Sequence, residues 1–208
     1  TAIAAAPLGI NPFDEPNVQE SKDATSAVLA ALPANPTVGA LTEPEATGTD
    51  DGIAVAGAVG DSPLLGLASF LNQVGSGDYL AITAYLPNDE PTNASLARLR
   101  LALRDIMHVA TTVGFGPRFL HSTGQFHKGG PASGAFIQIT CDDTEDMPVP
   151  GEPYSFGLLK RAQALGDWQA LQAHGRRALR LHLSGHPAER LSALDRLTAA
   201  LVAARSGH

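Results

Sequence analysis

Two stretches of this 208-residue chain gather residue types that can do chemistry. The first, "GINPFDEPNVQESK" (9–22), is polar, stiffened by Pro12 and Pro16, and ends on Lys22, one of three lysines in a chain with eleven arginines. The second, "HSTGQFHKGGPASG" (121–134), combines His121, Ser122, Thr123, His127 and Lys128 with several glycines. Backbone amides in a glycine-rich turn, together with a lysine, can cradle a phosphate or another anion. The same residues also suit a plain hairpin turn, with glycines supplying positive φ and polar side chains satisfying the loop backbone. The stretch is not a Walker loop, because no Gly-Lys-[Ser/Thr] opens a helix there. With neither a carboxylate nor a third histidine suitably near His121 and His127, no metal is expected. The acidic turn Asp142, Asp143, Glu145 and Asp146 lacks the glycine-bent loop of a calcium site and reads as solvated. Cys141 reads as a small buried hydrophobe, His108 and His182 as packing residues, and Trp168 as partly buried core.

The elements that must position these residues follow from periodicity. Residues 21–32 read as a short helix, and 33–52 as a surface linker rich in proline, glycine and acids. "IAVAGAV" (53–59) suits either a small strand or an apolar piece of that linker. From Ser62-Pro63 the pattern becomes regular. It predicts a helix over 63–74, a strand of buried character over 79–86, and a long amphipathic helix over 93–114 stopped by Gly114. Two strands, "RFLHSTGQF" and "GAFIQITCDD", then flank the turn "HKGGPAS". A helix ended by Gly175, a strand over 177–183 and a last helix with Pro187 in its first turn complete the chain.

The order strand–helix–strand–strand–helix–strand predicts an α+β sandwich, with the ferredoxin-like split βαβ arrangement favoured. A doubly wound three-layer α/β sheet is the alternative, because "YLAITAYL" looks buried on both faces. The expected organisation is a front segment (1–32), an acidic linker (33–62) and an α+β module (63–208).

At 44% apolar and only 5% aromatic residues, the core must be filled by aliphatics and alanine. A single cysteine excludes an internal disulfide framework and points to a reducing, cytoplasmic compartment. The net charge of −7 is concentrated in the front segment: residues 1–62 carry nine acids and one base, residues 63–208 twelve acids and thirteen bases. No basic footprint for nucleic acid is present, and no apolar run is long enough to span a membrane. "TAIAAAPLGI" makes a poor signal peptide and reads better as the end of a helix with Gly9 just past it. On that reading the chain is a fragment.

The loop "GINPFDEPNVQESK" resembles the C-terminal active-site segment of phosphoglucose isomerases, whose bacterial members carry Gly-[Ile/Val]-Asn-Pro-Phe-Asp-Gln-Pro-x-Val-Glu-x-x-Lys. "GPRFLHSTGQFHKGGP" and "DMPVPGEPYSFGLLKRAQALGD" resemble the C-terminal portion of bifunctional transaldolase/phosphoglucose isomerase proteins. The resemblance implies interconversion of glucose 6-phosphate and fructose 6-phosphate through an enediolate, without a cofactor. The family's motif lysine matches Lys22, which would touch the sugar near the ring oxygen. A compact ammonium can donate there to an oxygen gaining negative charge, whereas a guanidinium presents a fixed fork.

Glu15 departs from the family's glutamine, and a carboxylate beside a phosphate would repel it by about 1 kcal/mol or more at close range. Glu15 stays a substrate-binding candidate, as do His121, Ser122, Thr123 and Lys128. The family's base glutamate, its ring-opening histidine and the Schiff-base lysine of transaldolase have no counterpart here. The implied partners are therefore a sugar phosphate and upstream isomerase and transaldolase domains of the same protein, with a homo-oligomer also in view. A non-catalytic assembly or sugar-phosphate-binding module is the alternative function.

Overall fold

Short polar residues and prolines set where the helices begin. Ser62 accepts a hydrogen bond from the Leu65 amide at 3.4 Å, with Pro63 behind it at the first helical position. Asp89 accepts from the Thr92 amide at 2.9 Å and Ser155 from the Leu158 amide at 3.2 Å. Each side chain satisfies an amide that the helix itself leaves unpaired. The computed structural model describes residues 2–206 except Pro12, Glu15 and Asn35.

In chain order the elements are α1 (Ala2–Leu8), α2 (Pro16–Ala30), β1 (Gly48–Asp50), β2 (Ile53–Ala56), α3 (Pro63–Leu71), β3 (Tyr79–Tyr85) and α4 (Glu90–Met107). They continue with β4 (Ala110–Phe115), α5 (Gly124–Gly129), β5 (Gly134–Cys141), α6 (Phe156–Ala173), β6 (Arg177–Leu183) and α7 (Pro187–Ser206). Among the described residues no helix is long and apolar enough to cross a membrane. Helix α1 ends as its sequence predicts: Gly9 takes φ +64°, and the amides of Gly9 and Ile10 return to the carbonyls of Ala6 and Ala5. That left-handed cap is open to glycine at little steric cost.

The six strands form one sheet in the order β1-β2-β6-β5-β3-β4. Strands β6, β5, β3 and β4 run parallel, and the β1–β2 hairpin adds antiparallel to β6. Helices α3, α4 and α7 cover one face; α6, with α2 and α5 packed beside it, covers the other. The expected α/β sandwich is therefore present, in the three-layer, doubly wound arrangement rather than the ferredoxin-like one.

The difference traces to one misplaced strand. The helix predicted over 93–114 stops at Met107, where His108 takes a left-handed conformation (φ 54°), and Ala110–Phe115 is β4. Its β-branched run, Val109, Thr111, Thr112 and Val113, suits a pleated strand better than a last helical turn. "RFLHSTGQF", expected as a strand, instead forms a 3-10 turn (Arg118–His121) and the start of α5. The connection from β4 to β5 thus becomes a helical crossover, which parallel pairing requires and a hairpin cannot supply.

The segment 33–62, expected as an acidic linker with 33–52 on the surface, supplies both β1 and β2, and of the two readings of "IAVAGAV" the strand is present over Ile53–Ala56. It also buries Leu41 against Leu158 and Ala162 of α6.

Strand alternation gives the sheet two unlike faces. Ile53 and Val55, Leu80, Ile82 and Ala84, Ile137 and Ile139, and Leu179, Leu181 and Leu183 point into one aliphatic core with α3, α4 and α7. Fully burying each such leucine or isoleucine is worth roughly 1.5–3 kcal/mol. The intervening residues face α6, and they are of a different character.

Candidate functional site

The first candidate stretch is built around the start of α2. Asn11 folds its own loop, accepting from the Phe13 amide at 3.1 Å and donating to Asp14 at 2.7 Å. Asn17 then forms a reciprocal clamp with Gln125 of α5: its amide donates to Gln125 at 3.0 Å, and Gln125 donates back to its side chain at 2.8 Å. Glu20 pairs with His174 past the end of α6 at 2.7 Å. Further along, α2 lies so close to α6 that a Cβ on Gly166 would meet the Thr25 amide and hydroxyl at 2.9 Å. Lys22 therefore rides on a helix fixed at several points. Its own side chain is exposed and makes no hydrogen bond or ion pair with the described residues. Glu15 and Pro12 lie outside the described residues.

The second candidate stretch is not brought together as a cradle. His121, Ser122 and Thr123 are exposed on the turn before α5, where the Ser122 hydroxyl donates to the Phe119 carbonyl at 3.1 Å. Lys128 lies in the interior, 1% exposed, and donates to Asp167 of α6 at 2.5 Å. A helical backbone explains the separation, because residues 122 and 128 cannot share one concave turn once α5 forms between them. What this stretch does instead is support the first, through Gln125. Its neighbour His127 is buried among Tyr79, Phe119 and Phe136. Burial, aided by the adjacent Lys128 charge, pushes its pKa down to about 4, and its Nδ1 has no partner among the described residues.

A second site emerges on the face of the sheet beneath α6. Near the start of the strands this face is apolar, with Ala81, Phe136 and Ala178 packed on Leu165, Trp168 and Leu171. Toward their carboxyl ends it turns polar. Strand register lines up Thr83, Gln138 and Arg180 in one row, and Tyr85, Thr140 and His182 in the next.

Arg180, 3% exposed, donates to Gln138 at 2.9 Å and to Glu43 at 2.5 Å. Arg161 of α6 donates to the same Glu43 carboxylate at 3.0 and 3.2 Å and reaches Asp142 at 3.4 Å. Gln138 in turn donates to the Ala164 carbonyl at 2.9 Å and lies 3.5 Å from Asp167. His182 links Thr140 at 2.9 Å to Asp142 at 3.2 Å.

Burial dominates the electrostatics here. It raises the Asp167 carboxyl pKa against the opposing pull of Lys128, and lowers that of the Arg180 guanidinium against Glu43. It also holds His182 below its usual value, with Asp142 opposing, and lifts the Tyr85 phenol well above its own. The hydroxyls of Thr83 and Tyr85 are buried with no partner among the described residues.

Of this cluster, sequence reading offered only Lys128 as a site candidate, took His182 as a packing residue and Asp142 as part of a solvated turn, and missed Glu43, Gln138, Arg161, Asp167 and Arg180. The signal was present as polar residues two apart inside apolar strands, Gln138 and Thr140 in β5, Arg180 and His182 in β6. Cys141 is a buried free thiol, its pKa raised by burial, and Trp168 is 7% exposed, both as expected. No group of three or more His, Cys, Asp or Glu among the described residues is placed to hold a metal ion.

No protein-family model and no curated protein matches the chain. Among solved structures it is similar to a hypothetical protein from Thermus thermophilus, at 17% identity and a TM-score of 0.57. The match covers 70% of this chain and 40% of that one, so the chain spans well under half of that protein's length. At this identity the likeness is one of fold.

Proposed function

We propose that this chain is the closing part of an aldose–ketose isomerase acting on glucose 6-phosphate and fructose 6-phosphate, in a protein that also carries a transaldolase. The observation that carries the reading is Lys22: it ends the isomerase-like stretch and stands exposed and unpaired, among the described residues, inside a helix otherwise fixed in place. An ammonium held in this way is free to meet a sugar oxygen and to stabilise negative charge as it develops. Proton transfer between C2 and C1 would rest on a carboxylate outside these residues, because no counterpart of the family's base occurs among them.

Isomerase activity of the protein as its gene encodes it, measured in both directions, tests this. Lys22→Ala is expected to lower kcat by roughly 100- to 1000-fold, the effect of losing one charge-stabilising donor. Full activity after that substitution would overturn the reading.

A second reading, an assembly role, is favoured by four large apolar side chains exposed within the first thirteen residues, Ile3, Leu8, Ile10 and Phe13, which suit contact with further polypeptide. If Phe13→Ser changes oligomeric mass while Lys22→Ala leaves activity intact, that reading prevails.

A further inference from the structure

We propose that Arg161 and Arg180 form an oxyanion site for a small phosphorylated or carboxylated ligand, and that Glu43 occupies it as a displaceable internal stand-in. The receptor half stands on regular structure and is largely shielded from solvent. Arg180 rises from β6 in the sheet floor, braced by Gln138, and Arg161 descends from α6 with its side chain 12% exposed. Two forked guanidiniums converging on one carboxylate is the geometry that recognises carboxylate and phosphate groups.

The carboxylate half is of another kind. Glu43 comes from residues 42–46, which have no regular structure, and its side chain is 30% exposed. A cavity of about 210 Å³ opens beside the pair. Its walls are small: Ala54 and Ala56 alternate out of β2 on this face, and Pro44 and Ala46 close the other side. There is thus room for the body of a ligand whose anionic end replaces Glu43. His182 also lines the cavity, and Asp142 touches both His182 and Arg161, so one carboxylate stays in place when Glu43 leaves. The location, near the carboxyl ends of parallel strands, is where open α/β sheets generally take their ligands.

Calorimetric titration with inorganic phosphate, and separately with malonate, distinguishes a phosphate from a carboxylate preference. Glu43→Gln keeps the shape of the cover but removes the competing charge, and should bind one of these anions at least tenfold more tightly than the unmodified protein. Adding Arg161→Gln to that variant should abolish the gain, without recourse to the buried Arg180. In the unmodified protein the bound anion should speed amide exchange over 41–46. If folded Glu43→Gln gains no affinity for either anion at millimolar concentration, the proposal falls and Glu43 is only a fastener. Exchange over 41–46 that rises in Glu43→Gln with no anion effect would overturn it equally.

Discussion

The two faces of the sheet are made by the same strands and follow opposite rules. In β6, Leu179, Leu181 and Leu183 enter an aliphatic core, while Arg180 and His182, one residue away, enter a hydrogen-bonded polar cluster. The aliphatic face gains stability from burial alone and tolerates exchange of one hydrophobe for another of similar volume. The polar face gains only if every buried group finds its partner, since each orphan costs roughly 1–3 kcal/mol. Thr83 and Tyr85 have no partner among the described residues, so this face is not optimised for stability. A fold that keeps such a cluster under α6, when the opposite face shows that the same strands can be wholly aliphatic, marks the polar face as the place to look for function.

The comparison breaks most readily at Asp167. Replacing it with alanine leaves the Lys128 ammonium, 1% exposed, without its partner, and should cost about 3–5 kcal/mol in denaturant unfolding. The double variant Lys128→Met/Asp167→Leu should recover most of that loss, because the penalty belongs to the unpaired charge and not to the missing bond. A single variant within 1 kcal/mol of the parent would show that the cluster is wetter, and less distinct from a surface, than its burial indicates.

The aliphatic face gives the matching control. Leu181→Ala removes packing in a core with no polar partner to strand, and should cost about 3 kcal/mol. Here no second substitution across the core should rescue it unless it restores volume. Rescue by removing a charge would erase the distinction between the faces.

How far each face was legible in the sequence follows the same division. Amphipathic spacing and short apolar runs declared most of the helices and strands on this side, β6 among them, and Gly9, Ser62-Pro63 and Pro187 marked helix ends, whereas the front helix, expected over 21–32, begins earlier, as Pro16–Ala30. Strand β4 was lost because Ala110–Phe115 continues the helical spacing of α4, and only the left-handed turn at His108 separates them. The polar cluster was harder still. Glu43 lies in a stretch with no period at all, and its partners Arg161 and Arg180 are more than a hundred residues away, so nothing local announces the contact. Lys128 was noticed for the wrong geometry, as a loop lysine, because a glycine-rich sequence conceals the short helix that turns it inward. The stretch around Lys22 stood out by its prolines and its rare lysine, whereas its support by Gln125, His174 and Gly166 depends on chain segments brought in by the fold.

The smallest expected effect is a pH dependence from the α6 side of the sheet, at the aromatic packing between α5 and the strands. His127 is held neutral by burial, its pKa pushed from 6.5 to about 4, with Lys128 adding to the shift. The unfolded chain binds its proton below pH 6.5 while the folded one does not, so stability from this residue is complete above 6.5 and declines as pH falls toward 4. The loss across that window should be on the order of 2 kcal/mol. His127→Phe places an apolar ring among Tyr79, Phe119 and Phe136, where Nδ1 has no partner to lose among the described residues. Its unfolding free energy should therefore fall less steeply than the parent's between pH 6.5 and 4, with the two curves parallel above 6.5. Carboxylate titrations are common to both proteins and cancel in the difference, which leaves the buried imidazole as its source. Curves that stay parallel down to pH 4 would mean that protonated His127 reaches water in the folded state, and that the packing of α5 on this side opens where the aliphatic face stays closed.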